Sequence, residues 1–282
     1  MKRRHFIHSM LATAAGTLLL ADRARAQAAD TRLTRFGLEL YSIRNTMRAD
    51  PERTLAAVRA MGYSDVELLW SFKNFNRTPQ QVRATLDKEG LRAPSCHMEP
   101  DTILTNWDRS LDTARLLGHE YLIVPDLGEA ASKSLDNWKL WADRFNTAGA
   151  SARKAGLWLA FHNEPTHMKP IDGIVPYDMF VERLDPSLVR LQFDVGNMMM
   201  GGGDVMAYYE RYKDRYWSFH LKDVLADRSS DTELGKGAFD FKRFLAAVPA
   251  LGSKPCYVEQ EGPKDEMASA KMNAEFLKKL EF

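Results

Sequence analysis

One phrase recurs along this chain: a helix-like run stops at a glycine, and an apolar strand-like run begins at once. Gly62-Tyr63 leads into Asp65-Val66-Glu67-Leu68, and Gly90-Leu91 into Pro94-Ser95-Cys96-His97. Gly118-His119 leads into Tyr121-Leu122-Ile123-Val124, and Gly156-Leu157 into Leu159-Ala160-Phe161-His162. The residue just past a helix end favours a left-handed backbone, which glycine adopts most cheaply. Helix starts are marked too: Asp50-Pro51-Glu52 and Thr78-Pro79-Gln80 each put a capping side chain before a proline at the first helical position. Four further strand-like runs are Arg35 to Tyr41, Val189 to Val195, Trp217 to Leu221 and Pro255 to Glu259. Helical stretches at Pro176 to Asp185, Asp204 to Tyr212 and Phe239 to Leu251 separate the later strands. The strand runs are mostly apolar rather than alternating, as expected where helices cover them from outside. Eight strand–helix units predict an α/β chain folded as a single (β/α)8 barrel. An open doubly wound sheet would show a glycine-rich phosphate loop after its first strand, and Glu39-Leu40-Tyr41-Ser42-Ile43 offers none.

The barrel is expected to follow a leader. Lys2-Arg3-Arg4 is a basic start, Met10 to Ala21 is a short apolar run, and Ala24-Arg25-Ala26 has the small-x-small form of a cleavage site. Such a run is too short to span a bilayer. Arg3-Arg4 before His5-Phe6-Ile7 resembles a twin-arginine signal, so residues 1–26 are read as a signal peptide and 27–282 as one periplasmic domain. The leader holds Lys2, Arg3, Arg4, Arg23 and Arg25 against Asp22; cleavage takes 39 basic and 38 acidic residues to 34 and 37, a formal charge of −3. That balance argues against nucleic acid or an anionic membrane surface as partner. A homo-oligomer is compatible with it. Cys96 and Cys256 each lie in an apolar strand-like run and are expected as buried free thiols rather than a disulfide.

In a parallel barrel every strand's C-terminal end points to one face, where active sites sit. The polar residues closing the strands are Glu39 and Tyr41, Glu67, His97, Asp126, His162-Asn163-Glu164, Asp194, His220 and Lys222, and Glu259. Asp194 follows Leu191-Gln192-Phe193, His220 follows Trp217-Ser218-Phe219, and Glu259 follows Cys256-Tyr257-Val258. A polar group after three largely apolar residues is a side chain set at the mouth of a core strand. A lone aspartate there is ordinarily a helix cap, and a lone histidine a rim residue. Their joint occurrence on consecutive strands points instead to one divalent metal. Hard oxygen and borderline nitrogen donors suit Mn²⁺ first, with Mg²⁺, Co²⁺ or Zn²⁺ also compatible.

Phe193-Asp194-Val195-Gly196-Asn197, Phe219-His220-Leu221-Lys222-Asp223, Leu234-Gly235-Lys236-Gly237 and Tyr257-Val258-Glu259-Gln260 resemble the sugar phosphate isomerase/epimerase family of xylose-isomerase-like TIM barrels. Gly203-Asp204-Val205-Met206-Ala207-Tyr208-Tyr209, Ile171-Asp172-Gly173 and Pro176-Tyr177-Asp178 carry the same likeness, which runs from about Phe36 onward. It implies a catalytic metal held by Asp194, His220, Glu259 and one ligand from the fifth strand. There the chain departs from the family's usual Glu-Asn-His-Pro and reads His162-Asn163-Glu164-Pro165. Residues two apart share a strand face, so either His162 or Glu164 can coordinate, leaving the other for proton transfer. Glu164 is the expected ligand, with His167 a weaker third candidate. Asn197 stands where related multi-metal barrels carry histidine, which argues for one metal.

The resemblance implies an isomerase or epimerase working through an enediolate. A carboxylate removes the proton α to a carbonyl and a second group returns one elsewhere. Glu259 and His162 are the expected proton-transfer residues, and Lys222 is expected to steady the oxyanion. Tyr41, Glu67, His97, Asn163 and Asn197 are expected to bind sugar hydroxyls, with Trp107 and Phe72 as an apolar wall. No phosphate loop or arginine cluster closes a strand, so the expected substrate is a non-phosphorylated sugar or keto-sugar. The same intermediate with a β leaving oxygen gives elimination, so a lyase or hydratase on 3-keto-glycosides is the alternative. A multi-metal nuclease wants a basic face, and a non-catalytic sugar-binding barrel would break the ligand set.

Overall fold

The computed structural model describes residues 31–128 and 133–282. The leader expected at residues 1–26 lies outside the described residues. Eight parallel strands close a barrel: β1 Gly37–Glu39, β2 Asp65–Leu69, β3 Arg92–His97, β4 Tyr121–Val124, β5 Trp158–His162, β6 Val189–Asp194, β7 Tyr216–Leu221 and β8 Cys256–Val258. Each pairs with its neighbours in chain order, and β8 returns to β1, with Gly37 opposite Tyr257. The connecting helices are α1 Pro51–Ala60, α2 Pro79–Glu89, α3 Trp107–Leu117, α4 Leu135–Lys154, α5 Pro176–Arg183, α6 Val205–Tyr212, α7 Phe241–Ala247 and α8 Glu266–Lys279. Among the described residues no helix is long and apolar enough to cross a membrane.

The punctuation behaves as its chemistry requires. Thr78 and Gln81 form a reciprocal capping box on α2 with Pro79 at its first position, and Gly90 ends that helix at φ 65°. β6 stops at Asp194 rather than running through Val195, because the Asp194 carboxylate caps a helical turn over Val195–Met200. A short antiparallel hairpin, Asp223–Val224 against Asp231–Thr232, follows β7 and was not anticipated. The buried Asp223 carboxylate accepts from the N–H groups of Val224, Gly235, Gly237 and Phe239, pinning that loop over the barrel mouth.

Between strands and helices the core is aromatic; Phe161 lies 4.6 Å from Phe180, which also meets Trp138 and Phe145. The barrel interior changes character along its axis. At the bottom, Tyr121, Ile123 and Ala160 pack under Trp158 and Trp217, and the Arg190 guanidinium lies 3.9 and 4.4 Å over those two indoles. A one-residue bulge sets Tyr216 and Ser218 opposite successive residues of β6, leaving Trp217 as the extra one. Higher up the interior is polar. Cys96 and Cys256 are buried free thiols, as expected.

Candidate metal centre

Side chains on non-adjacent strands can meet only through the barrel's interior. Gln192 of β6 reaches Glu67 of β2 at 3.0 and 3.1 Å and His97 of β3 at 2.8 Å. Period-two alternation then carries the next residues upward on the same face. Asp194 follows Gln192, His162 follows Ala160, His220 follows Ser218, and Glu259 follows Tyr257. One ligand atom from each of His162, Asp194, His220 and Glu259 lies within 4.8 Å of all the others, and all four residues are buried. Ligands at about 2.0–2.2 Å from one ion stand roughly 3–4.4 Å apart, so the group has the dimensions of a single coordination sphere.

The test of fit is whether these atoms are already satisfied. Both ring nitrogens of His162 are buried without a hydrogen-bond partner, and Asp194 Oδ2, with no such bond, has the Lys222 ammonium at 3.2 Å. Buried polar atoms are rarely left so, and a cation between one His162 nitrogen and Asp194 Oδ2 would satisfy that pair. His162 Nε2 stands 3.6 Å from Asp194 Oδ2. Burial holds His162 below its ordinary pKa, so its ring is neutral with a lone pair to give. The Asp194 backbone is clamped by the Asn163 amide, which accepts from its N–H and donates to its C=O, both at 2.9 Å. Asp194 Oδ1 accepts the Asn197 N–H at 2.7 Å. Only Oδ2 is left to face the cluster.

His220 is held at both nitrogens, with Nδ1 2.8 Å from Glu259 Oε2 and Nε2 2.5 Å from Glu67 Oε2. Glu67 also accepts from the Ser95 hydroxyl at 2.5 Å and from the Gln192 amide. A second cluster of Glu39, Glu67, His97 and His220 is equally compact. There Glu67 is occupied by donors on every side, which makes it a support for His220 rather than a ligand. Burial, then the nearby Glu67 charge, push the Glu39 carboxyl well above its usual range.

Several residues expected at the site sit elsewhere. On the fifth strand it is His162, not Glu164, that joins the three expected ligands. Glu164 stands at the cluster's flank, with Oε1 3.5 Å from His162 Nδ1 and Oε2 accepting from Asn197 at 3.1 Å. The geometric reason is reach: Glu164 lies past the end of β5, where the chain turns into a 3-10 segment. His167 leaves the cluster, accepting the Glu164 N–H at 3.0 Å and meeting Asp126 at 3.0 Å. Glu67, Asn163 and Asn197 are fully enclosed and spent on protein partners, so none of them is turned to a substrate. Lys222 is also wholly buried, its Nζ 3.2 Å from Asp194 Oδ2, 3.1 Å from Glu259 Oε2, 2.5 Å from Glu261 and 2.9 Å from Asn197 Oδ1. It offsets carboxylate charge and does not reach the open cavity. Gly196 makes room for it, since a Cβ there would fall 2.5 Å from Lys222 Cγ. Trp107 donates to Ala148 C=O against α4, away from the site.

Tyr41, Phe72 and His97 do line a cavity of about 480 Å³ that opens from the cluster. Residues missed in the sequence are Gln192, Ser95, Tyr257 and Glu261. Gln192 and Glu261 lie two positions from Asp194 and Glu259, so the same-face spacing was their signal. Ser95 and Tyr257 lie two positions from His97 and Glu259 and carried the same signal; they meet through a 2.8 Å bond across the interior.

Against known proteins, residues 55–280 match the family model described as xylose isomerase-like TIM barrel. The chain belongs to that family. This xylose isomerase-like barrel is 33% identical over 128 residues to an inosose dehydratase of Salmonella typhimurium, a stretch covering 44% of the chain and 42% of that enzyme. The chain thus aligns with less than half the length of that curated relative. A sugar phosphate isomerase/epimerase from Parabacteroides distasonis superposes with a TM-score of 0.75 at 23% identity, over 89% of this barrel and 98% of that chain. The IOLI protein with a bound zinc atom superposes with a TM-score of 0.62 at 13% identity, over 86% and 96% of the two chains. These two likenesses are of fold.

Proposed function

We propose that this barrel is a divalent-metal-dependent enzyme that isomerises or epimerises a non-phosphorylated sugar or keto-sugar by moving a proton next to a carbonyl. The observation that carries the reading is the compact group of His162, Asp194, His220 and Glu259, with the His162 ring buried and without a hydrogen-bond partner. Those four residues would hold the metal, and two imidazoles with two carboxylates suit a first-row transition ion or zinc. When bound, the metal supplies Lewis-acid polarisation of a substrate carbonyl.

The chain's own groups do the rest. With His162 in the ligand set, Glu164 is the carboxylate left for proton transfer, because it lines the cavity from the cluster's flank. Its main chain is fixed by His167 and its Oε2 by Asn197, so Oε1 is the oxygen free to take a proton. His97, fixed by Gln192 and also lining the cavity, is placed to bind a sugar hydroxyl. Elimination is the second reading, favoured by the inosose dehydratase relative. It uses the same proton removal, followed by loss of a β oxygen, and extends to 3-keto-glycosides. The Arg-Arg leader supports action in the periplasm.

Metal analysis of the purified full chain tests the centre, with one equivalent expected in wild type and a deep loss in His162→Ala. Incubation of the metal-loaded protein with aldoses, ketoses and keto-glycosides in deuterated water tests the chemistry. Deuterium uptake without cleavage identifies an isomerase or epimerase, and release of water or an aglycone identifies the eliminating reading. Glu164→Gln should keep the metal and lose about 10²-fold or more in exchange. A wild-type protein that binds no metal would overturn the proposal.

A further inference from the structure

The cavity extends well beyond the cluster. It leaves the metal cluster at His97, Glu164 and Glu259 and runs over the loops that follow β1 to β4. Its volume of about 480 Å³ falls well within the roughly 300–1,000 Å³ found for pockets that bury drug-sized ligands. Its two ends differ in chemistry. Away from the cluster the wall is apolar, made by Tyr41, Leu69, Phe72 and Pro125. Tyr41 and Phe72 meet edge to face at 5.9 Å, an arrangement that fixes both rings. The Arg44 and Arg48 guanidinium groups lie 4.1 Å over Tyr41 and 4.7 Å over Phe72. Those cations are engaged with the rings, and no Lys or Arg lines the cavity among the described residues. Its charged lining is four carboxylates, Glu99, Glu164, Glu259 and Glu261.

The loop carrying Phe72 is held there at a cost. Lys73, Asn74, Phe75 and Asn76 have consecutive φ values of 51°, 46°, 54° and 61°. A left-handed turn of non-glycine residues costs roughly 1–2 kcal/mol for each one. Buried Phe75 and the paired Arg77–Glu52 contacts at 2.6 and 2.9 Å hold it in place. Strain of this kind persists where surrounding structure enforces it, and it tends to cluster at functional sites.

From these features we infer that Tyr41, Leu69, Phe72 and Pro125 form a second-ring subsite, and that the substrate is an uncharged keto-glycoside with a ring-bearing aglycone. This rests on the sugar-enzyme reading above. The sugar to be altered lies at the cluster, and its aglycone stacks on the aromatic wall. With no Lys or Arg in its lining among the described residues, the cavity offers a phosphorylated or carboxylated ligand no ion-pair partner there.

Calorimetric titration of the metal-loaded full chain with glucose, glucose 6-phosphate, and methyl and phenyl β-D-glucopyranoside as unreactive analogues tests this. The phenyl glycoside should bind at least tenfold tighter than the methyl one, and glucose 6-phosphate no tighter than glucose. Phe72→Ala should remove most of the phenyl advantage while leaving methyl glycoside affinity and metal content unchanged; Phe72→Leu, which keeps bulk if Ala unfolds the loop, should remove part of it. Equal affinities for the two glycosides, no binding of either, or a phenyl advantage untouched in both variants would overturn the subsite. Deuterium exchange into a free monosaccharide beside such a result would leave the enzyme reading intact. Absence of metal and of exchange would overturn that reading instead.

Discussion

At the scale of single residues, the least expected role is that of Glu67. It is wholly buried and gathers the Ser95 hydroxyl, the Gln192 amide and the His220 ring onto one carboxylate. Burial opposes its charge, but the His97 and His220 imidazoles hold its pKa below the usual range. A carboxylate on the far nitrogen of a metal-binding histidine fixes the ring and strengthens it as a donor; losing one costs about 10–100-fold in metal affinity. Glu67→Gln should therefore weaken binding by that factor and alter the visible spectrum of the Co²⁺-loaded protein, although Glu67 touches no ion. Unchanged affinity would return Glu67 to a purely structural role. His119 makes a separate prediction. Buried, with Nδ1 2.6 Å from the Ala93 carbonyl, it is pushed by desolvation down to about 4 from an ordinary 6.5. The unfolded chain then binds the extra proton between those values, so stability is complete above about pH 6.5 and falls as pH drops toward 4. The loss between pH 7 and pH 5 is on the order of 2 kcal/mol. Denaturant midpoints of wild type and His119→Gln should converge by that amount over this range; parallel pH curves would refute it. Asp194, His220 and Glu259 were legible because each ends a run of core residues. The choice between His162 and Glu164 was not, because it depends on where β5 ends and the chain turns.

At the scale of elements, the eight strands and their connecting helices could be read from glycine stops and proline starts, which act locally. What escaped was structure decided by distant contacts. The hairpin after β7 is organised by the Asp223 carboxylate collecting N–H groups up to sixteen residues away. The left-handed turn after β2 is similar, for nothing in Lys73-Asn74-Phe75-Asn76 announces it except two tolerant asparagines. Because Lys73 is exposed and has φ 51°, glycine there would relieve strain without loss of core packing. Lys73→Gly is expected to raise stability by about 1 kcal/mol in denaturant unfolding. The same change should loosen the loop behind Phe72 and weaken binding of an aryl glycoside. A destabilised variant would show that the turn is not strained.

At the scale of the whole molecule, the proposed metal centre is coupled to the barrel's stability. His162, Asp194, His220 and Glu259 come from four consecutive strands, β5 to β8, so an ion at their centre ties half the barrel together at its mouth. Without it, the carboxylates of Asp194, Glu259 and Glu261 gather around the buried ammonium of Lys222. The burial that would otherwise raise their pKa values is opposed chiefly by that ammonium in Asp194 and Glu259. A cation adds attraction to each ligand that the unfolded chain, with the four residues far apart, cannot reproduce. Binding to the folded state alone stabilises it by RT ln(1 + [M]/Kd), about 2.7 kcal/mol at a hundredfold excess over Kd. For a domain of this size each kcal/mol moves the melting midpoint by roughly 2–4 °C. Chelation should thus lower Tm by about 5–10 °C, and titrating metal back should restore it with a concentration dependence that gives Kd independently of any activity. His162→Ala should start near the chelated midpoint and be insensitive to added metal. If the wild-type midpoint ignores chelator and metal alike, the four residues do not form a shared ion site. The orphaned nitrogens of His162 would then need another partner.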